Sequence, residues 1–301
     1  MKKTGKRLLA AMLLFCTILI GAAGYEVMAA DEAQSTESTS GTVNSADDLP
    51  GKRIGVQLGT TGDIYVSDYE SDGSGTVVER YNKGADAIQA LKQGKIDCVV
   101  IDEQPAIKFV EQNTGIRILD EEFTLEDYAF VVAKSNTELL DKVNSALEKL
   151  EADGTIANIQ KNYIGTEDEI GKFPYESKDV SHENGTLTVG TNAEFPPYES
   201  YEDGQIVGID MDIMRAVSDE LGMELKIEDM AFDSIIPAIS TGKVDIGAAG
   251  FTVTEERKKN VNFTDTYTTS KQVIIVKDDT VTSEKAGLSE KFYDNFVKDS
   301  R

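Results

Sequence analysis

The 301 residues are enough for one large or two ordinary domains, and a hydrophobic share of 40% supports a packed core. A net charge of −24 argues against nucleic-acid binding as the main task, because a phosphate backbone repels an acidic surface. The cysteines, Cys16 and Cys98, and the one histidine, His182, form neither a metal-ligand cluster nor a nucleophile–histidine pattern, so no catalytic residue, metal or cofactor is expected.

Lys2, Lys3, Lys6 and Arg7 open the chain, residues 8–20 are almost wholly apolar, and Val27-Met28-Ala29-Ala30 offers small residues for cleavage. Residues 1–30 therefore read as an export signal, cleaved or kept as an anchor. The remainder is expected at the outer face of the cytoplasmic membrane or in a periplasm. Cys16 lies inside the apolar run and does not read as a lipid-attachment site. Residues 31–48, rich in Ser, Thr, Glu and Ala, predict a disordered tether.

From Leu49 the pattern changes. Residues 53–58 predict a strand, and Gly59-Thr60-Thr61-Gly62-Asp63 a loop presenting backbone N–H groups at a helix start. A helix is expected over 83–93, with Ala87, Ile88 and Leu91 on one face, then a Gly94-Lys95 break and a buried strand over 96–101. Cys98 in that run reads as a small buried hydrophobe. Pro105 suits the first turn of the next helix. Strands follow over 116–119 and 128–133, then helices over 136–151 and 155–163. Residues 166–185 lack apolar periodicity and read as a linker. A second region holds a strand at 187–191, a rigid loop at 192–198, a helix at 210–221 closed by Gly222, a strand at 225–227 and a helix at 234–240. Strands at 244–249 and 272–277 complete it.

Between those last strands Thr254 is placed to cap a short helix over 255–260, with Arg257 projecting from its first turn. A free carbonyl, a hydroxyl and a guanidinium within residues 249–257 suit a ligand carrying both a carboxylate and an ammonium. A solvated arginine beside Lys258 and Lys259 is the plainer alternative. An internal echo adds to this. Ala87 to Asp97 and Ser234 to Asp245 are each a helix, a Gly-Lys turn, then an apolar residue and Asp opening a buried strand. Two such units imply two α/β lobes with parallel strands. Ligands sit beyond the C-terminal strand ends of such sheets, and the loops at 59–63, 101–103, 192–198 and 249–257 are such ends.

These residues carry a resemblance. Thr188-Val189-Gly190-Thr191-Asn192-Ala193-Glu194-Phe195-Pro196-Pro197, the Gly242-Lys243-Val244-Asp245 strand start and Gly250-Phe251-Thr252-Val253-Thr254-Glu255-Glu256-Arg257-Lys258-Lys259 resemble the polar amino-acid-binding proteins of ABC importers. So do Phe263-Thr264, Tyr267, Gly55 to Asp63 and the helix pair at 136–165. The resemblance implies an α/β, two-lobed, periplasmic-binding-protein-like fold: two mixed sheets with helices on both faces and a ligand cleft between the lobes. In that family the segment like 186–277 comes first; here it comes second, so the order looks circularly permuted. The expected organisation is lobe 2 at 49–134, helices at 135–165 packing on lobe 1, a linker at 166–185, lobe 1 at 186–278 and a tail at 279–301. One lobe crossing, near 128–134, is expected to stay covalent and the other to be cut.

By resemblance, Arg257 clamps the ligand α-carboxylate, assisted by the backbone amides of Thr252 and Thr61 beside Thr60. Asp102, the Gly250 carbonyl and the Thr252 hydroxyl take the α-ammonium. Phe195 and Phe232 wall the ligand side chain, and Asn192 and Gln57 face its distal end. Those polar neutral residues point to a ligand such as glutamine, with a basic amino acid second, delivered to an ABC permease subunit. Asp102 as a mere N-cap, and each Phe as a core aromatic, are the plain alternatives. The tail from Leu288 resembles the junction before the permease in fused chains, or is an amphipathic surface helix. Two other functions stay open: an exported dehydratase-like enzyme, with Glu194 as its general acid, and a ligand-sensing domain.

Overall fold

Alternation of apolar strands with amphipathic helices carries the chain through two sheets, which a computed structural model describes over residues 42–121 and 124–278. The expected export signal, the part of the expected tether up to residue 41 and the expected tail at 279–301 lie outside the described residues. β1 (Arg53–Gln57) leads into α1 (Thr61–Ser67), whose N-cap Thr60 accepts the Asp63 amide on its hydroxyl. β2 (Val77–Tyr81), α2 (Gly84–Lys92), β3 (Cys98–Asp102), α3 (Glu103–Gln112), β4 (Ile116–Ile118) and β5 (Thr124–Tyr128) follow. Next come β6 (Val131–Ala133), α4 (Thr137–Ala152), α5 (Thr155–Ile164) and β7 (Thr186–Thr191). The chain continues with β8 (Glu194–Phe195), β9 (Glu199–Glu202), β10 (Gln205–Val207), α6 (Ile209–Leu221), β11 (Glu224–Asp229), α7 (Phe232–Ser240), β12 (Ile246–Gly247), β13 (Val261–Phe263) and β14 (Thr268–Lys277).

One sheet has the order β2-β1-β3-β14-β4, with β5 also paired to β14; the other runs β11-β7-β12-β6-β13. Within each, the first three strands named in the echoing units are parallel: β2, β1 and β3 in one, β11, β7 and β12 in the other. The echo has a structural cause. Asp97 and Asp245 each accept, on a carboxylate oxygen, an amide near the start of the neighbouring strand, from Arg53 and Thr188 respectively, both at 2.8 Å. The backbone amides of Asp97 and Asp245 return bonds to the carbonyls of the same two residues. The repeated Gly-Lys-apolar-Asp thus registers one parallel strand against the next.

Several expectations change. The strand expected over 128–133 is two strands in different sheets, because the chain crosses between lobes at Ala129-Phe130. β14 is longer than expected and lies between β3 and β4, so residues 268–277 belong to lobe 2 and not to a lobe 1 running to 278. Likewise β6, inside the expected lobe 2, pairs with β12 and β13 of lobe 1. Both crossings, β5 to β6 and β13 to β14, are covalent in this chain. They are bonded to one another through Thr264 N–H to Phe130 O (2.9 Å) and Tyr267 N–H to Tyr128 O (3.0 Å). β2, β13 and the β8–β9–β10 sheet were not expected; they are too short or too polar to show a period.

The segments read as loose are held. Val43 is buried with Leu49, Ile54 and Val56 on one face of the lobe 2 sheet, so it is not part of a loose tether reaching to 48. Residues 165–185 form a strap across α5 and α6. Phe173 N–H donates to Asn162 Oδ1 at 2.9 Å, and the Tyr175 hydroxyl and Lys178 N–H both donate to Asp219 Oδ2, at 2.7 and 2.8 Å. α4 and α5 pack against α6, on lobe 1. Asp219→Ala leaves those two donors without their acceptor and should lower stability by about 1–3 kcal/mol in urea titration. A change within about 0.5 kcal/mol, the scatter of ordinary surface substitutions, would show that the strap is held otherwise.

Candidate functional site

The C-terminal ends of β1, β3, β7 and β12 converge between the lobes, as parallel sheets dispose them to do. Around one small cavity stand Gln57, Thr60, Thr61 and Asp102 from lobe 2, and Asn192, Phe195, Phe232, Gly250, Thr252 and Arg257 from lobe 1. Every residue expected at the site from the sequence is therefore in its wall. Glu199 and Ala249 join them.

Arg257 is buried, although it does not project from an α-helix. Residues Arg257–Lys259 form a 3-10 turn, entered through the Arg257 amide donating to the Thr254 hydroxyl at 3.1 Å. The guanidinium lies 5.4 Å from the ring centres of both Phe232 and Phe251, which stack on each other at 4.8 Å. It donates to the Thr252 carbonyl and, across the lobes, to the Gly59 carbonyl, each at 3.0 Å. Burial pulls its pKa below the usual arginine value, partly countered by Glu126 and Asp102.

Asp102, at the end of β3, accepts from the Tyr128 hydroxyl. Burial first, and the Glu126 carboxylate second, push it up to about 7. Glu126 takes three donors on one oxygen: the Thr61 hydroxyl at 3.0 Å, the Thr252 hydroxyl at 2.8 Å and Gln272 Nε2 at 3.2 Å. It ties the hinge strand β5 to both lobes. Gly250 has φ +57°, and a side chain there would meet Phe195 and Tyr128 at 2.9 and 3.0 Å, so a residue without Cβ is required for the backbone to reach the cavity. Asp210, at the start of α6, accepts the Gly250 amide (2.9 Å) and the Tyr267 hydroxyl (2.6 Å), and burial raises it to about 7.

At the other end of the cavity, Gln57 Nε2 donates to Asn192 Oδ1 (2.8 Å) and to the Asn82 carbonyl (3.3 Å), while Asn192 Nδ2 donates to the Met230 carbonyl (2.9 Å). The pair bridges the lobes. Phe195 stacks with Tyr198 at 5.7 Å. Glu194 lies outside this wall, ion-paired with Lys83 of lobe 2. The acid suggested for an enzyme on this fold is therefore not at the cavity.

Glu199, Glu126 and Tyr128 were missed. Glu199 follows Tyr198 in the polar run Glu199-Ser200-Tyr201-Glu202, where nothing in the residue order separates a buried carboxylate from solvated ones.

The profile of the bacterial extracellular solute-binding proteins, family 3, matches residues 74–166 and 187–297. The arginine-binding protein ArgT of Corynebacterium glutamicum is 44% identical over 84 residues, which is 28% of each chain. The arginine-binding extracellular protein ArtP of Bacillus subtilis is 40% identical over 93 residues, 31% of this chain and 36% of ArtP. The match thus spans about a third of the length of these curated relatives. Domain 1 of TmArgBP, solved with arginine bound, is 40% identical over 33% of this chain and 84% of that one, with a TM-score of 0.28.

Proposed function

Because the chain belongs to the bacterial extracellular solute-binding proteins, family 3, we propose that it closes its two lobes on a free polar amino acid outside the cytoplasm and hands it to an ABC permease. The observation that carries this reading is the meeting of Arg257 and Asp102, from different lobes, in the wall of one buried cavity. Arg257 has spent N–H donors on two carbonyls and keeps others for a carboxylate. Asp102, the Gly250 carbonyl and the Thr252 hydroxyl supply acceptors for an ammonium. Phe195 and Phe232 cover the ligand's apolar stem. Closure is favoured because bonds such as Gln57 to Asn192 and Arg257 to Gly59 form only when the lobes meet.

We also infer that the order of the two lobes is permuted relative to the family. Support comes from the strap at 165–185, which joins α5 to β7 within one lobe, and from Val43 and β14, which place both ends of the described chain on lobe 2. Both crossings lie within one chain, which supports a monomer with one site.

Calorimetric titration with the twenty amino acids tests the function. Binding should need both α groups: removing either from the best ligand should weaken it by about a hundredfold or more, the loss expected when a buried charge is left unpaired. A ligand that keeps its affinity without both α groups would overturn the reading.

A further inference from the structure

Glu126 is a buried acid to which the clamp gives no role. It sits on β5 beside the lobe crossing and stands behind the cavity wall, outside the residues that line it. Its Oε2 accepts the Thr61 hydroxyl at 3.0 Å, the Thr252 hydroxyl at 2.8 Å and Gln272 Nε2 at 3.2 Å. Two of these donors are in the wall itself, Thr61 from lobe 2 and Thr252 from lobe 1. Their backbones fix them there. Thr61 opens α1, and the segment holding Thr252 is fastened to the crossing by the Val253 amide, which donates to the Asp127 carbonyl at 2.9 Å.

A hydroxyl has one proton to give and two lone pairs to offer. Each threonine oxygen lies nearer to Glu126 Oε2 than to the other threonine, 3.3 Å away, so both protons go to the acid. The Thr61 oxygen is further occupied by Gln272 Nε2, at 3.2 Å. What the Thr252 hydroxyl has left for the cavity is lone pairs. An ammonium, which only donates, is matched by them; a carboxylate, which only accepts, is opposed. A threonine without that acid behind it can turn its proton either way, and so prefers neither group.

We propose, on the amino-acid reading above, that Glu126 is a positioning residue that sets the polarity of the wall: by taking the Thr252 and Thr61 hydroxyl protons it makes the Thr252 oxygen an obligate acceptor, which reserves the Asp102 end of the cavity for the ligand's α-ammonium. Glu126 acts through Thr252 and does not meet the ligand. The carboxylate is left to Arg257, so the two α groups bind in one orientation.

The test is calorimetry on the full chain with an amino acid and its des-amino acid: L-arginine with 5-guanidinopentanoate, and L-glutamine with 4-carbamoylbutanoate. Glu126→Leu removes the acceptor and keeps most of the bulk. It should weaken the amino acid by about tenfold and leave the des-amino acid within about threefold of wild type, since a buried hydrogen bond to the charged group is what is lost. Glu126→Gln keeps an acceptor oxygen for the two threonines, and the Tyr65 hydroxyl beside it can meet the amide nitrogen. It should hold both affinities within about threefold, which a loss of charge alone would not. Thr252→Val should repeat the loss of Glu126→Leu, and the two together should cost little more than either, as for residues that act through one another. Melting curves establish that each variant is folded. The proposal is overturned by a folded Glu126→Leu protein that keeps the wild-type preference for the α-amino ligand, or one that weakens both ligands equally. It is equally overturned by additive losses with Thr252→Val, or by a Glu126→Gln protein that loses the preference, an outcome that does not need the Leu variant to fold. Each of these leaves the amino-acid reading standing. No heat from any of the twenty amino acids in wild type would strike that reading and this proposal with it.

Discussion

Arg257→Ala is expected to abolish amino-acid binding while the chain stays folded. The guanidinium is the cation in the cavity wall, and a ligand carboxylate buried without it loses roughly 3–5 kcal/mol, or more than a hundredfold in affinity. The fold survives because the two bonds Arg257 makes are to the carbonyls of Thr252 and Gly59, which a water molecule in the vacated space can serve. Arg257→Lys should not restore binding: an ammonium cannot present two parallel donors or lie flat on Phe232 and Phe251. Thermal melting beside calorimetry separates the two effects. Affinity within threefold of wild type in a folded Arg257→Ala protein would remove the residue from the clamp.

Acidification is expected to produce the second large effect. Asp102 is held at about 7 in the ligand-free fold, by burial first and Glu126 second, against 3.8 for an ordinary aspartate. Its folded form therefore binds a proton more readily than the unfolded chain does. Asp102 contributes stability that is fully present below about pH 4 and is lost as pH rises through 7; Asp210, raised in the same direction by burial, adds to it. Without ligand, the melting temperature should fall between pH 5 and pH 8. With ligand the sign reverses. An ammonium needs the ionised Asp102, so affinity should drop by about tenfold per unit once the pH is well below 7. Asp102→Asn should weaken α-amino ligands, leave their des-amino analogues alike, and lose most of the pH dependence of affinity. Wild-type affinity constant from pH 5 to pH 8, or equal losses for both ligand types, would take Asp102 out of the ammonium role.

Much of this site was legible in the chain because its parts are local. A Gly-Lys-apolar-Asp turn, a strand end followed by a glycine and a hydroxyl residue, and an apolar period each depend on neighbours a few positions away. That is why the walls at Gln57 to Thr61, Asp102, Asn192 to Phe195 and Gly250 to Arg257 could be placed in strand-end loops before any contact was known. The family resemblance supplied the roles, since spacing alone leaves Arg257 a surface cation.

What the tertiary structure decided is whatever depends on partners distant in the chain. Residues 268–277 are apolar enough for a strand in either lobe; pairing with β3 and β4 assigns them to lobe 2. Residues 128–133 read as one strand because the lobe crossing at Ala129-Phe130 is itself buried and apolar. The strap at 165–185 has no period of its own and is ordered by Asp219 and Asn162. Glu199 is the sharpest case. Its residue order is that of a solvated strand edge, and only the packed fold makes it a buried acid in the cavity wall, because burial is a property of the packed chain and not of the residue.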